Sequence, residues 1–464
     1  MKFVFPSEVR NILAAFKKNG YDIFVIGGAV RDILLSKIVY DWDFTTNATP
    51  EEMLKFLPDA YYTNKFGTVG IPAKRKGGRP YEITTYRTEH GYSDSRRPDK
   101  VRWGKSLEED LKRRDFTINA MAISQTKKTN AEKFPGIPSI YLIDLFGGKK
   151  DLGDKVIKAV GDPHERFSED ALRMLRAVRI AAELGFTIEK ETISAIEKNS
   201  HLIKKIAKER VRDEFLKILT SYYPYQGMVI LRNSGLLQQI LPELLMAFEV
   251  EQKSPGRHHI YDVGTHCMNS LKEITKRNKD PIVRLAALMH DIGKAQTYKK
   301  LETGVVTFYD HELASARTAK KLAQRLNFSK NQTERLYRLV RYHQFTVDEN
   351  QTDSAIRRFI RNVGPENISD MLDLRVADRI GGGAKETSWR LEEFKKRLIE
   401  VQKQPFSVSD LKISGHDVME ILNIKPGPKV GEVLGILYEE VVNKKLANEK
   451  KTLTKHLEKI KASS

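Results

Sequence analysis

Residues 39–50 read VYDWDFTTNATP, and the two acids Asp41 and Asp43, with Trp42 between them, decide how the first part of the chain folds. On an extended segment, residues i and i+2 point to one face, so both carboxylates can reach a single site. Hard oxygen donors at this spacing suit Mg2+, which takes one or two carboxylates together with substrate phosphates. Upstream, YDIFVIGG is a buried-strand pattern that ends on Gly27 and Gly28, and AVRDILLSK continues it as a helix. Glycine permits close backbone approach, and N–H groups at a helix N-terminus suit phosphate oxygens. In YEITTYR, Glu82 sits on a second strand pattern and can supply a third carboxylate.

Outward from this stretch, residues 1–20 read as an amphipathic helix with Val9, Ile12, Leu13 and Phe16 on one face. YEITTYRTE alternates like a strand, and DFTINAMAIS and IYLIDLF read as strands or strand–helix junctions, so the first unit, 1–148, is mixed α and β. After the glycine-rich DLFGGKKDLGDK, strand signals nearly vanish and helices follow one another. The expected architecture is α+β: a mixed head, then a helical neck over 149–225, a helical body over 226–400 and a helical tail over 401–464.

Composition sets the class. The 464 residues imply about two to four domains. Hydrophobic content of 40% and charged content of 30% describe a globular protein rather than a disordered one. No apolar run approaches the roughly 20 residues needed to span a bilayer, and MKFVFPSEVRNIL does not read as a secretory leader. Cys267 is the only cysteine, which excludes an intrachain disulfide and fits a reducing compartment, so a cytoplasmic location is expected. Lys and Arg number 80 against 61 for Asp and Glu, a net +19 that favours a polyanionic partner. No membrane and no obligate protein partner are expected.

GGAVRD, DWDF and RRDFTINAMA, in this order and spacing, resemble the nucleotidyltransferase superfamily that contains polymerase β, and within it the bacterial tRNA nucleotidyltransferase and poly(A) polymerase branch. The resemblance implies a polymerase β-like head with Asp41 and Asp43 as Mg2+ ligands. It also implies triphosphate contacts at Gly27, Gly28 and Arg31, and ribose and nucleotide contacts from Arg114, Asp115 and Asn119. A forked guanidinium and a carboxylate can meet ribose hydroxyls.

FSEDALRMLRAVRIAAELGF reads as a helix capped by Ser168, with Asp170 and Arg173 sharing a face. A carboxylate accepts from the exocyclic amine of cytosine or adenine while a guanidinium donates to the ring nitrogen; guanine and uracil place a donor there and fit poorly. EDALR resembles the family's amino-acid template for CTP and ATP, with Glu169 in support. Arg176 and Arg179 continue a basic stripe that faces either RNA or solvent. RTEHGYSDSRRPDKVRWG resembles a flexible loop carrying Arg87, Glu89 and Arg97, which argues against addition of CC alone. The expected function is CCA addition to tRNA from CTP and ATP; A-only addition and poly(A) synthesis stay open. ISGHDVMEILNIKPGPKVGEVLGIL resembles a tRNA-binding tail, with Lys425 and Lys429 toward phosphates.

THCMNSL, MHDIGK and LRVADR supply His266, His290, Asp291 and Asp378 in an order that resembles the HD phosphohydrolases, and His311 and His343 fall where dinuclear members carry ligands. Imidazole and carboxylate together suit a transition metal (Mn, Fe, Co, Ni or Zn) better than Mg2+. The implied second activity is hydrolysis of a phosphoester such as a 2′,3′-cyclic phosphate, against the alternative of a scaffold without turnover.

Overall fold

The computed structural model describes residues 4–463 apart from 65–66, 74–77, 91–99, 105, 135–139, 253–260, 346–350, 403–407 and 443–444. The expected loop residue Arg97 and the side chain of Glu89 lie outside the described residues.

The helix Ser7–Lys18 buries Val9, Ile12, Leu13 and Phe16, the face read from the sequence. The strands are Ile23–Ile26 (β1), Asp43–Thr46 (β2), Tyr61–Asn64 (β3), Thr68–Ile71 (β4), Tyr81–Thr85 (β5), Arg87–His90 (β6), Lys100–Trp103 (β7), Met121–Ser124 (β8), Ala131–Lys133 (β9) and Tyr141–Asp144 (β10). Eight form one sheet in the order β3-β4-β5-β2-β1-β8-β10-β9. Within it β2 and β5 run parallel, with Asp43 opposite Glu82 and Phe44 opposite Ile83. YEITTYRTE is therefore not one strand: it breaks at Tyr86, and β6 pairs instead with β7 in a separate ladder.

Alternation divides the sheet's two faces. Val25, Phe44, Val69, Ile83, Ile123 and Leu142 join the main core with the first helix. Phe24, Ile26, Tyr86, Ala122 and Ile143 form a smaller cluster with Leu111 of the helix Leu107–Lys112. Asp43 is the register partner of Ile26, so it belongs to this second face, and the helix that covers that face ends at Arg113 and Arg114.

From residue 148 onward the described regular elements are helices except for two two-residue ladders, Val156–Ile157 with Thr187–Ile188 and Lys299–Lys300 with Val306–Thr307, which the helical reading had not anticipated. The main core runs without interruption from Phe5 to Val401. Leu411, Ile413, Val418, Leu437, Val441, Leu453 and Leu457 form a separate core in the tail. Among the described residues no helix is long and apolar enough to cross a membrane.

Candidate active site and a second, histidine-rich centre

β1 delivers the chain to Gly27, whose φ of 71° and ψ of −139° are readily adopted only by glycine. A Cβ there would lie 3.1 Å from Arg114 Nη1 and 3.5 Å from Asp43 Oδ2, so the turn also needs the missing side chain. Gly27 caps the helix Gly28–Leu34, which carries Arg31. Arg31 Nη1 donates to Asn119 Oδ1 at 3.0 Å, and Asn119 Nδ2 donates to Asp115 Oδ1 at 3.3 Å. Arg176 grips Asp115 Oδ2 through Nε at 2.8 Å and Nη2 at 2.5 Å. Burial pushes the Asp115 carboxyl up, but the Arg176 guanidinium overrides it and holds the group at about 2. Arg31, Asn119, Asp115 and Arg176 thus form one connected network, while Arg114 pairs instead with buried Asp110 at 3.3 Å.

The acids behave differently. Burial raises Asp43 to about 6; Arg114 opposes the shift, while Asp41 and Glu82 add to it. A site that crowds carboxylates against its buried member fits a divalent cation, because the ion would supply the missing positive charge. Asp41 precedes β2 rather than lying on it, and its Oδ2 accepts from Arg79 Nη1 at 2.8 Å. Both partners are more than half exposed, so this pair is weak and readily exchanged for a cation. Because a carboxyl must lose its proton before it can hold a cation, any divalent-metal affinity that uses Asp43 should fall about tenfold per pH unit below pH 6 and level off above it. Titrating metal-dependent nucleotide binding between pH 5 and pH 8 checks this; a flat profile would contradict it.

The EDALR segment departs from its expected form. Ser168 is not an N-cap; it lies inside the helix Pro163–Glu169 and donates to His164 O. The chain then breaks at Asp170, which is extended, and resumes as the helix Leu172–Leu184. Asp170 Oδ1 accepts from the Leu172 N–H at 3.0 Å, so the carboxylate itself caps the second helix. The side chains of Asp170 and Arg173 do not pair with each other; only the Arg173 N–H donates to Asp170 O, at 3.0 Å. Asp170 Oδ2 accepts from Arg210 at 2.9 Å; Arg173 donates to Glu169 at 2.5 Å and reaches across to the head at Arg113 O, 3.2 Å away. The basic stripe does not form either: Arg176 is held by Asp115, and Arg179 pairs with buried Glu214 at 2.9 Å. Arg79, Asp110 and Arg210 are participants the sequence did not disclose. Arg210 is an unremarked arginine of KERVRDEF, and only the packing of the helix Lys208–Thr220 brings it to Asp170. Lys425 and Lys429 are both exposed at the entry to the helix Pro428–Val442.

The histidines converge. His266 lies in the helix Val263–Ile274, His290 and Asp291 end Pro281–Met289, His311 begins His311–Arg325, His343 follows Lys330–Arg341, and Asp378 lies in Ile368–Gly381. Gly381 lets the first and last of these approach, since a Cβ there would sit 2.4 Å from Ser270 Oγ. His266 Nε2 is 3.0 Å from His290 Nε2 and 3.2 Å from Asp378 Oδ1. Asp291 Oδ2 faces His266 at 3.3 Å, and its Oδ1 faces His311 and His343 at 3.2 and 3.4 Å. His290, His311 and His343 each have Nδ1 against a backbone carbonyl, Ala287 O, Phe308 O and Val340 O, at 2.8–2.9 Å. A carbonyl only accepts, so each Nδ1 carries the hydrogen and each Nε2 offers its lone pair inward, the arrangement of a metal-ligating imidazole. His266 Nδ1 has no hydrogen-bond partner; burial lowers its pKa, but bonds to Asp291 and Asp378 outweigh this and raise it to about 9.

A strand-borne acid beside a glycine turn, joined to an arginine–aspartate–asparagine network, defines a nucleotidyltransferase head. Residues 23–158 match the family model described as "Poly A polymerase head domain", 185–248 match "Probable RNA and SrmB- binding site of polymerase A", and 302–457 match "tRNA nucleotidyltransferase domain 2 putative". The chain belongs to the CCA-adding enzyme family, whose members are tRNA nucleotidyltransferases. It is 33% identical over 456 residues to the CCA-adding enzyme of Pediococcus pentosaceus, covering 98% of both chains. It is 32% identical over 472 residues to that of Ligilactobacillus salivarius, covering 98% of this chain and 97% of the other. The crystal structure of Bacillus stearothermophilus CCA-adding enzyme in complex with CTP superposes with a TM-score of 0.65 at 26% identity, over 99% of each chain. A family of nucleotidyltransferases uses divalent metal ions.

Proposed function

We propose that the chain adds C, C and A to the 3′ end of tRNA from CTP and ATP with release of pyrophosphate, and that Mg2+ is the ion held by Asp41, Asp43 and Glu82. The observation that carries this reading is the meeting of two groups at one place: Asp43, beside Arg114, and the Asp115–Arg176 and Arg173–Arg113 links that tie the neck to the head. Bound Mg2+ would offset charge on the attacking 3′-hydroxyl and the leaving pyrophosphate. Backbone N–H groups after Gly27, with Arg31 and Arg114, bind the triphosphate. Asp115 and Asn119 orient the ribose. Asp170 and Arg173 read the base once they release Arg210 and Glu169. Lys425 and Lys429, on a tail with its own core, meet RNA phosphates. The activity belongs in the cytoplasm, in keeping with a single buried, free cysteine.

The deciding assay gives purified protein a tRNA lacking CCA, with each nucleoside triphosphate alone and together. Ordered C, C, A incorporation is expected. A alone would reassign the chain to A addition, long A tails to poly(A) synthesis, and no incorporation would end the proposal.

The convergence of six ligand residues at 3.0–3.5 Å favours a second reading, in which the histidine centre binds a transition metal and hydrolyses a phosphoester. Bound there, the ion would act as a Lewis acid toward the phosphoryl oxygen. His266, raised to about 9, carries a proton at pH 7.5 in metal-free protein and must lose it to ligate. Binding of Mn2+ should therefore release about one proton per ion, read as a dependence of calorimetric heat on the buffer's ionisation enthalpy. Heat independent of buffer would contradict this.

A further inference from the structure

Beside the histidine centre lies a cavity of about 540 Å³, and adjoining it a second of about 540 Å³ that shares Gln344 and Arg375 with the first. Among the described residues, the second cavity is lined by Phe345, Arg375, Arg379, Trp389 and Arg390 and by no acid. Arg375 sits on the boundary. Its Nη1 is 3.2 Å from Asp378 Oδ2, and its guanidinium lies 5.5 Å from the Phe345 ring. Phe345 is fixed by Phe359 and Phe394, at 4.6 and 5.2 Å between ring centroids. Trp389, the first residue of the helix Trp389–Gln402, is 63% exposed, with the Arg390 guanidinium 5.3 Å from its ring. An exposed tryptophan has no reason to be kept in water by packing. Beside the arginines of this cavity, it is a surface on which a nucleobase stacks while guanidinium groups meet phosphate.

We propose that Trp389 is the base platform of a nucleotide subsite continuous with the histidine centre. A nucleoside phosphate ester lays its base on Trp389, and Arg375 and Arg379 guide its phosphate toward His266, His290 and Asp378. This rests on the hydrolytic reading of that centre and names its substrate class. Hydrolysis there consumes one water: its oxygen bonds to phosphorus, the ester P–O bond breaks, and one of its protons goes to the leaving alcohol. The ester is either a free nucleotide or the phosphorylated end of an RNA strand, since both present the same base and phosphate.

The test uses the full chain. Metal-free wild type and Trp389→Phe are titrated with adenosine 3′-phosphate and with a short single-stranded RNA bearing a 3′-terminal phosphate, and tryptophan emission is followed. Quenching present in wild type and absent in Trp389→Phe is expected; tighter binding of the RNA identifies a strand end, and equal binding a free nucleotide. Mn2+-loaded wild type and Trp389→Ala are then compared on adenosine 3′-phosphate and on glycerol 2-phosphate, which has no ring to stack. The variant should raise KM for the nucleotide about tenfold, the loss of one stacked base, and leave glycerol 2-phosphate turnover unchanged. No Trp389-dependent quenching, or equal effects on the two substrates, overturns the proposal. Quenching without any hydrolysis leaves the platform standing and removes the hydrolytic reading instead.

Discussion

Asp43→Asn should lower C and A incorporation on the order of 10³-fold, because a metal-ligating charge is worth several kcal/mol in the transition state. The same substitution should make the metal-free protein more stable. Burial lifts Asp43 from an ordinary 3.8 to about 6, so the folded state holds this proton more tightly than the unfolded chain does. The sign follows from linkage: stability from this group is full below the unfolded value and is lost as pH rises through 6. At pH 7.5 the charged carboxylate therefore weighs against folding by on the order of 3 kcal/mol, which the isosteric amide relieves. Denaturant unfolding in the presence of a chelator, alongside an incorporation assay, measures both. Loss of stability together with activity, or activity within tenfold of wild type, would refute the assignment.

Arg173→Ala should reduce the preference for CTP and ATP over GTP and UTP by about 10- to 100-fold, the worth of one bidentate base contact. Arg173 also braces the neck against the head through Arg113 O, so some of its effect could come from loosened packing. Asp170→Asn separates the two, since its amide oxygen can still cap the Leu172 N–H where Asp170 Oδ1 does now. A loss of base choice in both variants, with metal-dependent triphosphate binding retained, is the expected result. Unchanged preference in Arg173→Ala would remove the base-reading role.

Much of this site was legible because it depends on local chemistry. A strand ending in Gly27 and Gly28 and acids two residues apart each impose their geometry within a few residues, whereas RRDFTINA was readable through its resemblance to a family. What the sequence concealed lies in pairings across long separations. Asp170 with Arg210 and Arg179 with Glu214 are set by helix packing, and no periodicity in either segment encodes a partner tens of residues away. Ser168 failed as a cap because Asp170, two residues on, competes for the same role and has a carboxylate to offer. YEITTYRTE kept its alternation through Tyr86, yet Tyr86 bonds back to Thr46 O and Gly104, and the strand changes ladder there. The histidine set was readable as a list of residue types. Its inward-facing nitrogens depend on carbonyls three residues upstream, Ala287 and Val340 in the last turns of helices and Phe308 in the turn before one, which only the folded chain presents.

The parallel pairing of β2 with β5 reaches further than the alignment of Asp43 with Glu82. Side chains alternate along both strands, so Phe44 and Ile83, fully buried, stand next to the acids on the opposite face. A slip of one residue in either strand would expose an aromatic or branched side chain and drive a carboxylate into the apolar layer. Folding quality control alone would then discard a variant that slipped the acids by one residue relative to each other. The spacing of these carboxylates is thus guarded by selection for a dry core, even in generations when transfer itself is not under test.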